Sequence, residues 1–225
     1  MVSLSFVRHV VAVCAVGLGI ASAAQAGTVN YSFDGPNDNN LGTSEVFGSG
    51  GSAITAYGYR SLAGGAWVAA NVSRTADALG VNSGIGTNPG QVDSNGAAVE
   101  GLLFDFGSLH FVSLTIELGA FRINGNNPEN IDVWIGDTFD ASSAGSPLAT
   151  QLFNDATPGN PFTINFATRY LFIAASDNGN NTILNCSGNN SNCFRVENIT
   201  AVPEPGSLAL VGLGLLGAAA LRRRA

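Results

Sequence analysis

Lysine is missing from this chain: all nine basic residues are arginine, and charged residues of either sign make up only 11% of it. Solvated helix faces are built from Glu and Lys at three- and four-residue spacing, so a helical bundle with a charged surface is excluded. Histidine is nearly absent as well, with two copies, His9 and His110. A Ser-His-Asp or Cys-His catalytic unit in the mature chain would have to use His110, which sits between Leu109 and Phe111 and reads as a sheet-edge residue with a satisfied hydrogen bond. Cysteine is confined to Cys14, Cys186 and Cys193. Two thiolates with no neighbouring His or second Cys pair are too few soft ligands for zinc. Long apolar runs are absent from the middle of the chain and occur only at its two ends.

What the sequence has instead is turn chemistry. There are 29 glycines in 225 residues, and polar clusters such as 34–40 (DGPNDNN), 124–128 (NGNNP) and 177–181 (DNGNN) read as loops by composition. The length suits one sizeable domain once the ends are set aside. Between Gly27 and Val202 five arginines stand against fifteen Asp and Glu, and five minus fifteen is minus ten. A body that acidic repels phosphate backbones, so nucleic acid is not an expected partner and cations are a better one.

The middle of the chain alternates apolar and polar residues with period two, the pattern of strands with one buried face. Val112, Leu114, Ile116 and Leu118 alternate with Ser113, Thr115 and Glu117; Ile131, Val133 and Ile135 alternate with Asp132 and Trp134. Phe162, Ile164 and Phe166 repeat it, as do Phe194 and Val196. Residues 102–106 and 170–174 read as more fully buried strands, and 29–33, 54–59 and 67–73 as weaker ones. Eight to ten short strands at this spacing predict an all-β fold, two antiparallel sheets packed face to face in a jelly-roll-like β-sandwich over residues 27–201.

The two ends carry addresses. Arg8 and His9 precede an uncharged run, Val10 to Ile20, and then small residues ending Ala24-Gln25-Ala26. That order predicts a secretory signal peptide over 1–26 with cleavage after Ala26, handled by the translocon and signal peptidase. The run is too short for an uncleaved span, which needs roughly 20 residues. At the other end Pro203-Glu204-Pro205 precedes an apolar stretch, Leu208 to Leu221, and Arg222-Arg223-Arg224. The prolines hold the Glu204 peptide extended and accessible. A short transmembrane helix over 206–221 enters lipid, and the arginines resist translocation. This tail, over 202–225, resembles that of the PEP-CTERM proteins of Gram-negative bacteria, whose tripartite signal is recognised by a membrane-embedded exosortase. The resemblance implies cleavage near Pro203-Glu204-Pro205, loss of the tail, and delivery of the body to the cell surface or the exopolysaccharide matrix of a biofilm.

In an oxidising envelope Cys186 and Cys193, which flank six polar residues, read as a disulfide contributing about 2–3 kcal/mol by loop closure. The most distinctive block of the body is Leu79-Gly80-Val81-Asn82-Ser83, then Gln91-Val92-Asp93, then 100–107 (EGLLFDFG). It loosely resembles a block recurring in secreted bodies with this type of tail, and no activity comes with it. Asp93 and Glu100, with Ser94-Asn95-Gly96 between them, offer hard oxygen donors for Ca2+, as do Asp34 and Asp38; the same residues also make Asx turns without metal. Trp67 and Trp134, with Tyr57 and Tyr59, are the aromatic candidates for stacking on a sugar, and Trp134 is out of phase with Val133 and Ile135. Asp93, Glu100, Asp105, Asp132 and Asp137 are the carboxylates a glycan hydrolase would have to pair. The reading that results is an exported, tail-sorted surface or matrix protein without catalysis, with a carbohydrate-binding module as the alternative and a secreted glycan hydrolase behind it.

Overall fold

The computed structural model describes residues 27–62, 65–84, 90–94, 98–109, 111–121, 129–143, 146–176 and 193–204. The expected signal peptide, His110, Cys186, Pro205 and the transmembrane helix over 206–221 lie outside these residues. Among the described residues no helix is long and apolar enough to cross a membrane. One compact unit spans Val29–Val202.

The described chain is all-β, with a single 3-10 turn at Gly50–Ser52. Its strands are β1 Val29–Ser32, β2 Ser44–Phe47, β3 Ile54–Leu62, β4 Trp67–Arg74, β5 Leu79–Asn82, β6 Val92–Asp93 and β7 Ala98–Asp105. Then follow β8 Phe111–Gly119, β9 Ile131–Gly136, β10 Thr150–Ala156, β11 Phe162–Asn165, β12 Tyr170–Ala175 and β13 Cys193–Pro203. The alternating segments form strands where they were expected, with one shift of phase: Val112 is 44% exposed and Phe111 takes the inward place before Leu114, Ile116 and Leu118.

The strands follow one hydrogen-bonded path, β10-β9-β12-β7-β3-β4-β5-β13-β8-β11, with β2 on β3 and β1 and β6 on β13. The two sheets of the sequence reading are therefore joined. The joint is β4, whose residues 67–70 pair with β3 while residues 71–74 pair with β5. Where registers are resolved the pairing is antiparallel, for example Tyr57↔Leu103, Phe172↔Leu103 and Val29↔Ala201.

This long sheet curls so that its two halves share one apolar core. Ile54, Leu102, Phe104, Val133, Leu171 and Ile173 from one half meet Leu114, Ile116, Ile164, Phe194 and Val196 from the other. Period-two alternation supplies that shared face on both halves. A second apolar layer lies on the opposite face of the β3–β7–β12–β9 half and holds Trp67, Leu103, Trp134, Leu148, Phe172 and Ala174. That half is thus buried on both faces, which is why residues 170–175 read as a continuous apolar run.

Candidate functional site

The distinctive block of the sequence folds into one place. β5 passes beneath the segment that leads into β6, so closely that a Cβ on Gly80 would overlap the carbonyl carbon of Gly90 and the amide nitrogen of Gln91. The Val81 amide donates to the Gln91 carbonyl at 2.9 Å, and Gly90 holds φ +104°, a left-handed conformation that favours glycine. That crossing carries Val92 and Asp93 against β13, opposite Phe194 and Cys193.

Glu100 rises from β7 into this junction. One carboxylate oxygen accepts the Ser83 amide at 3.2 Å and the other accepts the Asp93 amide at 3.2 Å. Arg60, its register partner on β3, donates to the Ser83 carbonyl at 2.9 Å. Glu100 is 2% exposed and Asp93 4%. Burial pushes both carboxyls up, Asp93 to about 6 and Glu100, with the charge of Asp93 added, to about 8. Both carboxyls are therefore harder to ionise than free ones, and each opposes ionisation of the other.

The two residues expected as calcium donors are brought together, but in a buried junction where Glu100 spends both oxygens on backbone amides. Among the described residues no group of three or more His, Cys, Asp or Glu is arranged to hold a metal; Asn95 and Gly96 lie outside the described residues. The other proposed calcium donors behave as turn formers. Asp38 accepts the Asn40 amide at 2.9 Å, and Asp34 accepts the Ser32 hydroxyl at 2.7 Å.

The remaining hydrolase candidates hold structure, Asp105 and Asp137 both at Arg169 and Asp132 at Asp155. Asp105 takes Arg169 with both oxygens, at 2.8 and 2.7 Å, and accepts the Gly107 amide. Asp137 accepts the Arg169 amide at 3.0 Å, and Asp132 accepts the Asp155 amide at 2.7 Å. The Arg169 hydrogen bonds hold the Asp105 carboxyl below its usual range. Its contribution to stability is therefore present above the ordinary carboxylate pKa and lost as pH falls through the folded value. Asp105→Asn is expected to cost about 1 kcal/mol at pH 7, because the arginine is half-exposed. In urea melts the difference from the parent should close in strong acid, and an equal cost at pH 7 and pH 2.5 would refute the ion-pair account.

Trp67 and Trp134 do not offer ring faces to a ligand. They are 6% and 3% exposed and flank Phe172, with ring centroids 4.7 and 5.7 Å away. Phe139, 5.7 Å from Phe172, and Tyr59, 4.8 Å from Phe139, close the cluster. The chain between β9 and β10 covers it, tied down by the Trp67 amide donating to the Ala141 carbonyl at 2.7 Å. Gly101 makes room for the Phe172 ring, which a Cβ there would overlap. The expectation that Trp67 and Trp134 stack on saccharide is corrected accordingly: each ring faces away from the main core because a second layer receives it.

Cys193 opens β13 and is buried at 1% exposure. Its expected partner, Cys186, is outside the described residues. At the far end of the same strand Val202 and Pro203 are half-buried and Glu204 is exposed. Proline is tolerated at a strand end, where a missing amide interrupts no continuing ladder.

No curated protein matches this chain. A solved structure, a rhamnosidase from Klebsiella oxytoca with rhamnose bound, is similar at 13% identity and a TM-score of 0.29, over 83% of this chain and 31% of that one. The chain thus spans about a third of that structure's length, and a likeness of this size says nothing about activity. Residues 201–224 match the model of the PEP-CTERM protein-sorting motif, so what the chain carries at its C-terminus is a PEP-CTERM sorting signal, the mark of an exported protein processed by an exosortase.

Proposed function

We propose that this is a non-catalytic surface or exopolysaccharide-matrix protein, delivered by a signal peptide and released from its C-terminal anchor by exosortase. The observation that carries the reading is the sorting motif at 201–224 placed after an acidic all-β body. The body's carboxylates support the non-catalytic part. Glu100 is buried with both oxygens on backbone amides, Asp93 is buried beside it, and Asp105, Asp132 and Asp137 accept from backbone amides. We also read the body as a jelly-roll-like sandwich, supported by the single core between its curled halves. A Cys186–Cys193 disulfide is part of the same reading, and the burial of Cys193 beside β6 favours it.

The deciding experiment replaces Pro203, Glu204 and Pro205 by alanine in an exosortase-bearing Gram-negative host. Parent chain is expected at the surface or in the matrix with an intact mass lacking residues 208–221. The variant is expected to stay in the inner-membrane fraction at full length. Equal maturation and display of both would remove the sorting reading.

A further inference from the structure

The sorting motif begins inside a folded strand. β13 runs from Cys193 to Pro203 and pairs with β1 through Ser32↔Asn198, Tyr31↔Ile199, Asn30↔Thr200 and Val29↔Ala201. Tyr31, Ile199 and Ala201 are buried in the main core, so this pairing is part of the body and not a loose appendage. From Ala201 to Glu204 is three residues, about 10 Å of fully extended chain, and from Ala201 to Leu208 is seven, about 25 Å. An enzyme that grips an extended peptide takes backbone on both sides of the bond it attacks, using the amide and carbonyl groups that a sheet also uses. The residues before Pro203 include Thr200 and Ala201, whose backbone already pairs with β1 at Asn30 and Val29.

We propose that the β1–β13 strand end is a clasp on tail processing: exosortase acts on the motif only after the pairing at Val29↔Ala201 and Asn30↔Thr200 has opened. Strand ends open locally at far lower free energy than the whole body, so the clasp sets how often the motif is presented without requiring the body to unfold. β1, the first strand of the described body, holds one side of the clasp while β8 lies along the other side of β13, and the rate of maturation thereby depends on contacts far from the motif in sequence. The inference rests on the sorting reading above.

The test closes the clasp covalently. Asn30 is exposed and Thr200 half-exposed, and directly opposed residues of an antiparallel pair stand close enough for a disulfide. The full-length double variant Asn30→Cys, Thr200→Cys is expressed in an exosortase-bearing host, and tail removal is followed by pulse-chase with non-reducing and reducing gels. In the oxidised form processing is expected to fall about tenfold or more relative to the parent. Dithiothreitol is expected to restore it, which separates a lock from a misfolded body. A six-residue Gly-Ser insertion between Val202 and Pro203 is expected to restore it too, with the lock still closed, because the insert supplies free backbone before the motif. Parental-rate processing of the oxidised lock would overturn the clasp, as would failure of the insertion to rescue. Failure of the parent itself to be processed would instead remove the sorting reading.

Discussion

Gly80→Ala is expected to lower the melting temperature of the purified protein by on the order of 10 °C, the effect of losing about 4 kcal/mol or more in a domain of this size. A Cβ at residue 80 would overlap Gly90 and Gln91 backbone, and backbone cannot turn aside as a flexible side chain can. Relief requires moving the 90–93 segment off β5. That breaks the Val81–Gln91 hydrogen bond and withdraws the Asp93 amide from Glu100. The loss thus spreads from one contact to a buried carboxyl left with only one of its two backbone donors, the Ser83 amide. Gly51→Ala is the control, since nothing lies within 4 Å of a Cβ there and its φ is outside the left-handed region; its melting temperature should stay near the parent's. Should Gly80→Ala melt within a degree or two of Gly51→Ala, the crossing of β5 beneath residues 90–91 is wrong.

This glycine also shows what the sequence disclosed and what it hid. Period two exposed β8, β9, β11 and β13, because each sets apolar side chains into the shared core, whereas β7 and β12, buried on both faces, were legible as nearly continuous apolar runs. β10 was invisible for the opposite reason. It stands at one end of the path with nearly every residue exposed, so it has no alternation to read. β5 was hidden by Gly80, which reads as turn punctuation yet is a strand residue under close backbone approach. β6 is two residues long, too short for any pattern. The curl escaped because β4 passes from one half of the sheet to the other without a break in strand character.

The candidate site was half legible. Asp93 and Glu100 were singled out by their place in one block and do meet, but spacing cannot tell a solvated donor from a buried one. Only the contacts of Ser83 and Asp93 amides with Glu100 reveal the second case. Likewise Trp134 was correctly set out of phase with Val133 and Ile135. The chain that covers it lies between β9 and β10, and a covering segment leaves no periodic mark in the strand it covers.

Burial of Glu100 makes stability depend on pH in a direction opposite to that of ordinary ion-paired carboxylates. Its folded pKa, about 8, lies above the usual 4.5, so over that window the native state binds more protons than the unfolded one and stability falls as pH rises. The protonated form's contribution is whole below about pH 4.5 and gone above about pH 8, a span on the order of several kcal/mol. Glu100→Gln removes that titration while keeping the shape. At pH 5 the variant is expected to be about 1–2 kcal/mol less stable than the parent, because its amide group presents N–H to one of the two backbone N–H donors. At pH 9 the parent must bury a second negative charge beside Asp93 and the variant need not, so the order reverses and the two curves cross. Some slope between pH 4 and 6 should survive in the variant, since Asp93 keeps its own burial and its raised value of about 6. Urea unfolding from pH 5 to pH 9 reads the crossing directly. Parallel curves over that whole range would mean that Glu100 is already ionised throughout it, and that the junction of β5, β6 and β7 holds a carboxylate and not a protonated carboxyl.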